Sequence, residues 1–166
     1  MKGPMVSQRA AVRRSATWWL CFFGMVLIFP SLIQAEEWSR GQLVYVPIYS
    51  HIYYGDRGQT FLLTGTLSIR NTDPDRSITL VQADYYDGNG KRIQKYLQQP
   101  LVLGPLASTR FIVKASDKSG GSGAHFLVRW KSESEVNPPI LEGVMIGASG
   151  QQGISFTSRG QVIRER

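Results

Sequence analysis

The stretch Phe61-Leu62-Leu63-Thr64-Gly65-Thr66-Leu67-Ser68-Ile69-Arg70 decides the reading of the fold. In an extended chain Phe61, Leu63, Leu67 and Ile69 fall on one face, and Thr64, Thr66, Ser68 and Arg70 on the other. A period of two with one apolar face is the pattern of a strand that covers a core on one side and meets water on the other. Asn71-Thr72-Asp73-Pro74-Asp75 then closes the segment with strong turn chemistry.

The same signal recurs on both sides. Upstream, residues 43–49 are β-branched and aromatic and read as a strand, with residues 36–41 as a loose polar lead-in. Pro47 cannot donate to a ladder, so this strand is expected at an edge or with a bulge. Residues 50–59 read as a polar-aromatic loop. Downstream, residues 77–87 form a strand, and Asp87-Gly88-Asn89-Gly90 is a hairpin turn leading to a partner over 91–97. Further strands are expected over 100–103, 110–115, 124–131, 140–148 and 154–156. In the segment 124–131 Phe126, Val128 and Trp130 point inward while His125, Arg129 and Lys131 point outward. Residues 116–123, 132–139 and 160–166 read as a glycine-serine loop, a polar loop and a basic frayed tail. No helical period follows residue 36. Seven to nine short strands with frequent turns predict an all-β domain, an antiparallel two-sheet sandwich of immunoglobulin-like type; a closed barrel has the same strand pattern.

Residues 1–35 differ in kind. Lys2, Arg9, Arg13 and Arg14 precede an uncharged run, Trp18 to Phe29, which Pro30 interrupts before Ala35. That run falls short of the roughly 20 apolar residues of a membrane-crossing helix and matches the apolar part of a secretory signal peptide. Ala35 suits the position before a cut, while Ile33 is larger than the usual small residue there, so an uncleaved anchor is the alternative. Ser15-Ala16-Thr17 after the Arg13-Arg14 pair fits the twin-arginine route poorly, which favours the general secretory route. The expected location is periplasmic or secreted, with membrane contact only through a retained leader.

Removal of residues 1–35 from the 166 leaves one domain, 36–166, large enough for its own core. The single cysteine, Cys21, leaves with the leader, so neither disulfides nor thiol chemistry are expected. The leader holds four of the 19 basic residues and none of the 12 acidic ones, which leaves the domain at +3. So small a net charge, with signs interspersed, gives no case for nucleic acid.

Several segments together resemble the bacterial family called domain of unknown function 3124. They are Tyr45-Val46-Pro47-Ile48-Tyr49-Ser50-His51-Ile52-Tyr53, Ser68-Ile69-Arg70-Asn71-Thr72-Asp73, Asp84-Tyr85-Tyr86-Asp87 and Pro105-Leu106-Ala107-Ser108-Thr109. Ser119-Gly120-Gly121-Ser122-Gly123-Ala124, Trp130-Lys131-Ser132, Asn137-Pro138-Pro139 and Gln152-Gly153-Ile154-Ser155-Phe156 complete the set. The resemblance spans about Arg40 to Ile163. It implies an exported bacterial protein and carries no assigned activity.

Two loops hold the candidate binding residues. His51, Tyr53, Tyr54 and Asp56 bring an imidazole, two phenols and a carboxylate into one loop, groups that suit a sugar, a peptide or a protein partner. The plainer reading is a turn whose tyrosines fold back over the core. Ser119, Ser122 and the neighbouring His125 belong to a glycine-rich loop whose backbone N–H groups could cradle an anion. The plainer reading there is a flexible connection. Walker spacing is absent, and so is the Gly-x-Ser-x-Gly elbow of a hydrolase. Asp84 and Glu142 could pair only if the fold brought them together. Two histidines and Met145 make a poor soft-metal set, and Asp84, Asp87 and Asn89 lack EF-hand spacing. No catalytic residue, metal or cofactor is expected. The leading expectation is a non-catalytic module that binds a protein partner or an envelope component; the alternative is a small-ligand or anion binder using both loops.

Overall fold

A computed structural model describes residues 38–165. The leader and its expected cut after Ala35 lie outside the described residues. Twelve strands are present among the described residues: β1 (Ser39–Pro47), β2 (His51–Tyr54), β3 (Gln59–Leu62), β4 (Thr64–Arg70), β5 (Ile78–Tyr86), β6 (Arg92–Lys95), β7 (Leu101–Leu103), β8 (Ser108–Val113), β9 (His125–Val136), β10 (Ile140–Ser149), β11 (Gln152–Arg159) and β12 (Gln161–Glu165). Every pairing is antiparallel. Sheet I has the order β12-β1-β9-β5-β6, with β7 also paired to β5; sheet II has the order β11-β10-β4-β8. The two sheets form the expected sandwich.

The core lies between them. Sheet I contributes Val44, Val46, Leu80, Tyr85, Phe126, Val128 and Trp130 to it; sheet II contributes Leu67, Ile69, Val113, Leu141 and Met145, all buried. Burial of each large side chain contributes about 1.5–3 kcal/mol. Strict alternation in β4 and β9 is what allows one face of each strand to do this.

Five local expectations are corrected. The segment from Phe61 to Arg70 is two strands, not one, because Leu63 donates its N–H to Ser50 O at 3.0 Å and closes the root of the β2–β3 hairpin. The loop read over residues 50–59 is that hairpin, a two-stranded sheet of its own. Ser39–Gly41 belongs to β1, and the polar residues 132–136 continue β9, paired across to β1 at Ser39–Val136. The tail is also ordered: β12 pairs with β1 through Gln42–Glu165 and Tyr45–Gln161. Gly160 lets the chain cross from sheet II to sheet I, since a Cβ there would meet Val44 Cγ1 at 2.8 Å and Leu141 O at 3.0 Å. Pro47 ends β1 two residues beyond its last partner in β12, so its missing N–H leaves no gap in that ladder.

The Asn71–Asp73 turn holds one end together. Asn71 is buried, and its Nδ2 donates to Arg76 O and Gly104 O at 2.8 Å and to Leu103 O at 3.3 Å. Asp73 Oδ1 accepts from the Asp75 and Arg76 N–H groups, and Oδ2 accepts from Asn137 N. These bonds, the Asp75 one foremost, hold the Asp73 carboxyl below its ordinary value. Thr72 Oγ1 donates to Pro138 O at 2.8 Å, and Leu106 N donates to Asp73 O at 3.1 Å. Three of the quoted segments, Ser68–Asp73, Pro105–Thr109 and Asn137–Pro139, therefore meet at one hydrogen-bonded node.

Candidate functional site

The two loops meet. Ser50 is buried, and both its N–H (3.2 Å) and its hydroxyl (3.1 Å) donate to Gly121 O. The glycine-serine loop is packed rather than loose. Ser119 donates its N–H and its hydroxyl to Asp117 Oδ1, so this side chain is already engaged. Gly120 is the buried member of the loop, where a Cβ would collide with the Tyr85 hydroxyl and lie 2.6 Å from Ala124 Cβ. Ser122 is half-buried beside them.

The predicted residues nevertheless divide into two groups. His51 stands at the root of the hairpin, 3.4 Å from Ser50 Oγ through Nδ1, with its ring edge-on to Tyr53 at 5.1 Å. Tyr53, Tyr54 and Asp56 are exposed towards the hairpin tip, so the tyrosines do not fold back over the core. The root is anchored: a Cβ on Gly147 would meet Phe61 Cε1 at 2.5 Å and Leu62 O at 2.6 Å.

His125 has other partners, on the outer face of sheet I. Its ring lies between Tyr45 of β1 (4.3 Å, 24°) and Tyr86 of β5 (5.3 Å, 5°). The register supplies the stack, because His125 pairs with Pro47 on one side and Tyr86 on the other. Neither tyrosine is part of the sequence-based site; three rings contributed by three strands become neighbours only through the register. Nδ1 of His125 is buried without a hydrogen-bond partner among the described residues. Burial, the largest cause, holds the His125 pKa below its ordinary 6.5, with the Gly123 backbone and the Asp87 carboxylate acting the other way.

The sign of this shift gives a pH dependence. With its folded value depressed, His125 takes up a proton more readily in the unfolded chain. Stability is full above 6.5 and falls as the pH drops through that value towards the folded one. Urea midpoints at pH 7.5 and 5.5 should therefore differ less in His125→Phe, which keeps a ring in the stack and removes the titration. An equal drop in both proteins would show that His125 is not its source.

The carboxylates do not make a catalytic pair. Asp84 is buried in β5 of sheet I and accepts from Gln82 Nε2 at 3.1 Å and Arg92 Nη1 at 3.3 Å; Glu142 belongs to β10 of sheet II. Among the described residues no group of three His, Cys, Asp or Glu side chains could hold a metal ion.

Residues 41–163 match the family model described as protein of unknown function (DUF3124). The chain belongs to this family. The match runs from β1 into β12 and takes in both loops. No curated protein matches the chain. Among solved structures, the crystal structure of Thermotoga maritima 1070 is similar at 11% identity and a TM-score of 0.46, covering 77% of this chain and 97% of that one.

Proposed function

We propose that this DUF3124 protein is an exported, non-catalytic binding module that engages a protein partner of the cell envelope through its β2–β3 hairpin. One observation carries the reading: Tyr53 and Tyr54 are 60% and 52% exposed on a hairpin that pairs with neither sheet and is anchored only at its root. Exposed tyrosines, here one on each face of the two-stranded ribbon, supply large, stiff, amphipathic contact area at low entropy cost, as interface anchors do. Asp56 and Arg57 at the turn provide the polar rim. Export rests on the basic start, the short apolar run and the Ala35 boundary of the leader.

The test is a double substitution, Tyr53→Ala with Tyr54→Ala. Both side chains are exposed, so the melting temperature should stay within about 2 °C of the parent, as surface changes of under 0.5 kcal/mol allow. Cross-linking to a partner in native envelope extract should disappear. Undiminished cross-linking by the variant would refute the hairpin as the contact.

A further inference from the structure

A cleft of about 250 Å3 opens on the outer face of sheet I, apart from both predicted loops. It is lined by Leu43 of β1, Val81 of β5, Arg129 and Lys131 of β9, and Arg164 and Glu165 of β12, among others. Three breaks in register surround it. The β1–β9 ladder shifts between Ser39 and Gly41, the β1–β12 ladder between Leu43 and Val44, and the β5–β9 ladder between Leu80 and Gln82. Val81 is the residue skipped by the last of these. Bulges bend a sheet and re-aim side chains, and they gather beside functional sites.

The charges around the cleft are unbalanced. The side chains of Arg129, Lys131 and Arg164 have no ion-pair or hydrogen-bond partner among the described residues. The one lining carboxylate, Glu165, is already engaged, accepting from Gln42 Nε2 at 2.9 Å and Ser39 Oγ at 3.4 Å. Three free cations beside an apolar wall of Leu43 and Val81 call for an anion with a short carbon skeleton.

We infer that this cleft binds a small phosphate ester, such as a glycerol phosphate, free or as a lipid headgroup. Two guanidinium forks and an ammonium offer more donors than the two oxygens of a carboxylate can accept, and they suit the several oxygens of a phosphate. The volume lies below the roughly 300–1,000 Å3 of drug-sized pockets, which suits a headgroup rather than a nucleotide. Leu43 and Val81 take the carbon skeleton. The site is independent of the hairpin, so either reading can fail alone.

The experiment titrates the purified protein with inorganic phosphate, with glycerol 3-phosphate, and with phosphatidylglycerol or phosphatidylcholine vesicles, against sodium chloride of equal ionic strength. Glycerol 3-phosphate should raise the melting temperature above the salt control. The variant Lys131→Gln with Arg164→Gln should bind about tenfold more weakly or worse, since two charge-assisted contacts are lost. Arg164→Lys, on an exposed edge strand, keeps the charge without the fork and should fall between the two; it serves alone if the double variant melts early in sodium chloride. Binding confined to phosphatidylglycerol vesicles, and lost in the variants, would support the cleft with a lipid as its source. No binding to any probe, or binding that the variants leave unchanged, would overturn the inference.

Discussion

Replacing Phe126 with alanine is expected to destabilise the protein by about 3–5 kcal/mol, the range for removing a buried aromatic ring. Phe126 is fully buried at the centre of an aromatic cluster, 5.2 Å from Tyr85 and 5.2 Å from Tyr96 between ring centroids. Tyr96 in turn meets Phe111 of sheet II at 5.9 Å, so the cluster bridges the sandwich. Little can collapse into the space. Tyr85 is held from above by Gly120, and its hydroxyl is buried without a hydrogen-bond partner among the described residues. Burial, reinforced by Asp117 and Tyr96, pushes that phenol far above its ordinary value, so it stays neutral. The urea midpoint should fall steeply with the slope unchanged. A loss under about 1 kcal/mol would mean that the cluster is not a packed core.

Asn71→Ala should cost about 3 kcal/mol, because it strips the Arg76, Leu103 and Gly104 carbonyls of a shared donor in a buried setting. Asn71→Asp is the sharper variant. It matches the shape of asparagine, but its carboxylate would face three carbonyl oxygens as an acceptor with nothing to give. It should be at least as damaging as alanine at pH 7. An aspartate variant as stable as the parent in urea would show that shape, not donation, is what the node requires.

How far the sequence could be read depended on whether burial left a period of two. In β4 and β9 one face is buried and the other is not, so Leu67, Ile69, Phe126, Val128 and Trp130 could be assigned to the core from their spacing. β12 is exposed along its whole length and carries no such pattern. Its place in the sheet comes from backbone pairing with β1, which any side chains permit, so it read as a tail. The hairpin is hidden in a similar way, since β2 is half-buried only at its first two residues, His51 and Ile52, and exposed at Tyr53 and Tyr54. For the site, the loop residues were visible as clustered chemistry. Their contact through Ser50 and Gly121 was not, because it joins backbone groups of residues far apart in the chain. The Tyr45–His125–Tyr86 stack and the cleft at Arg129, Lys131 and Arg164 depend on register and on bulges. Neither is written in any one segment.

Whether the hairpin meets an envelope partner is decided by a photo-cross-linking amino acid placed at Tyr53 of the full chain, produced in its native cells, with the same group at Ile112 as a control on the outer face of sheet II. An adduct with an envelope protein is expected at Tyr53, formed by a product whose chain begins at Glu36, and none at Ile112. A product that keeps its leader and stays in the cytosol, or adducts no different at the two positions, would contradict it.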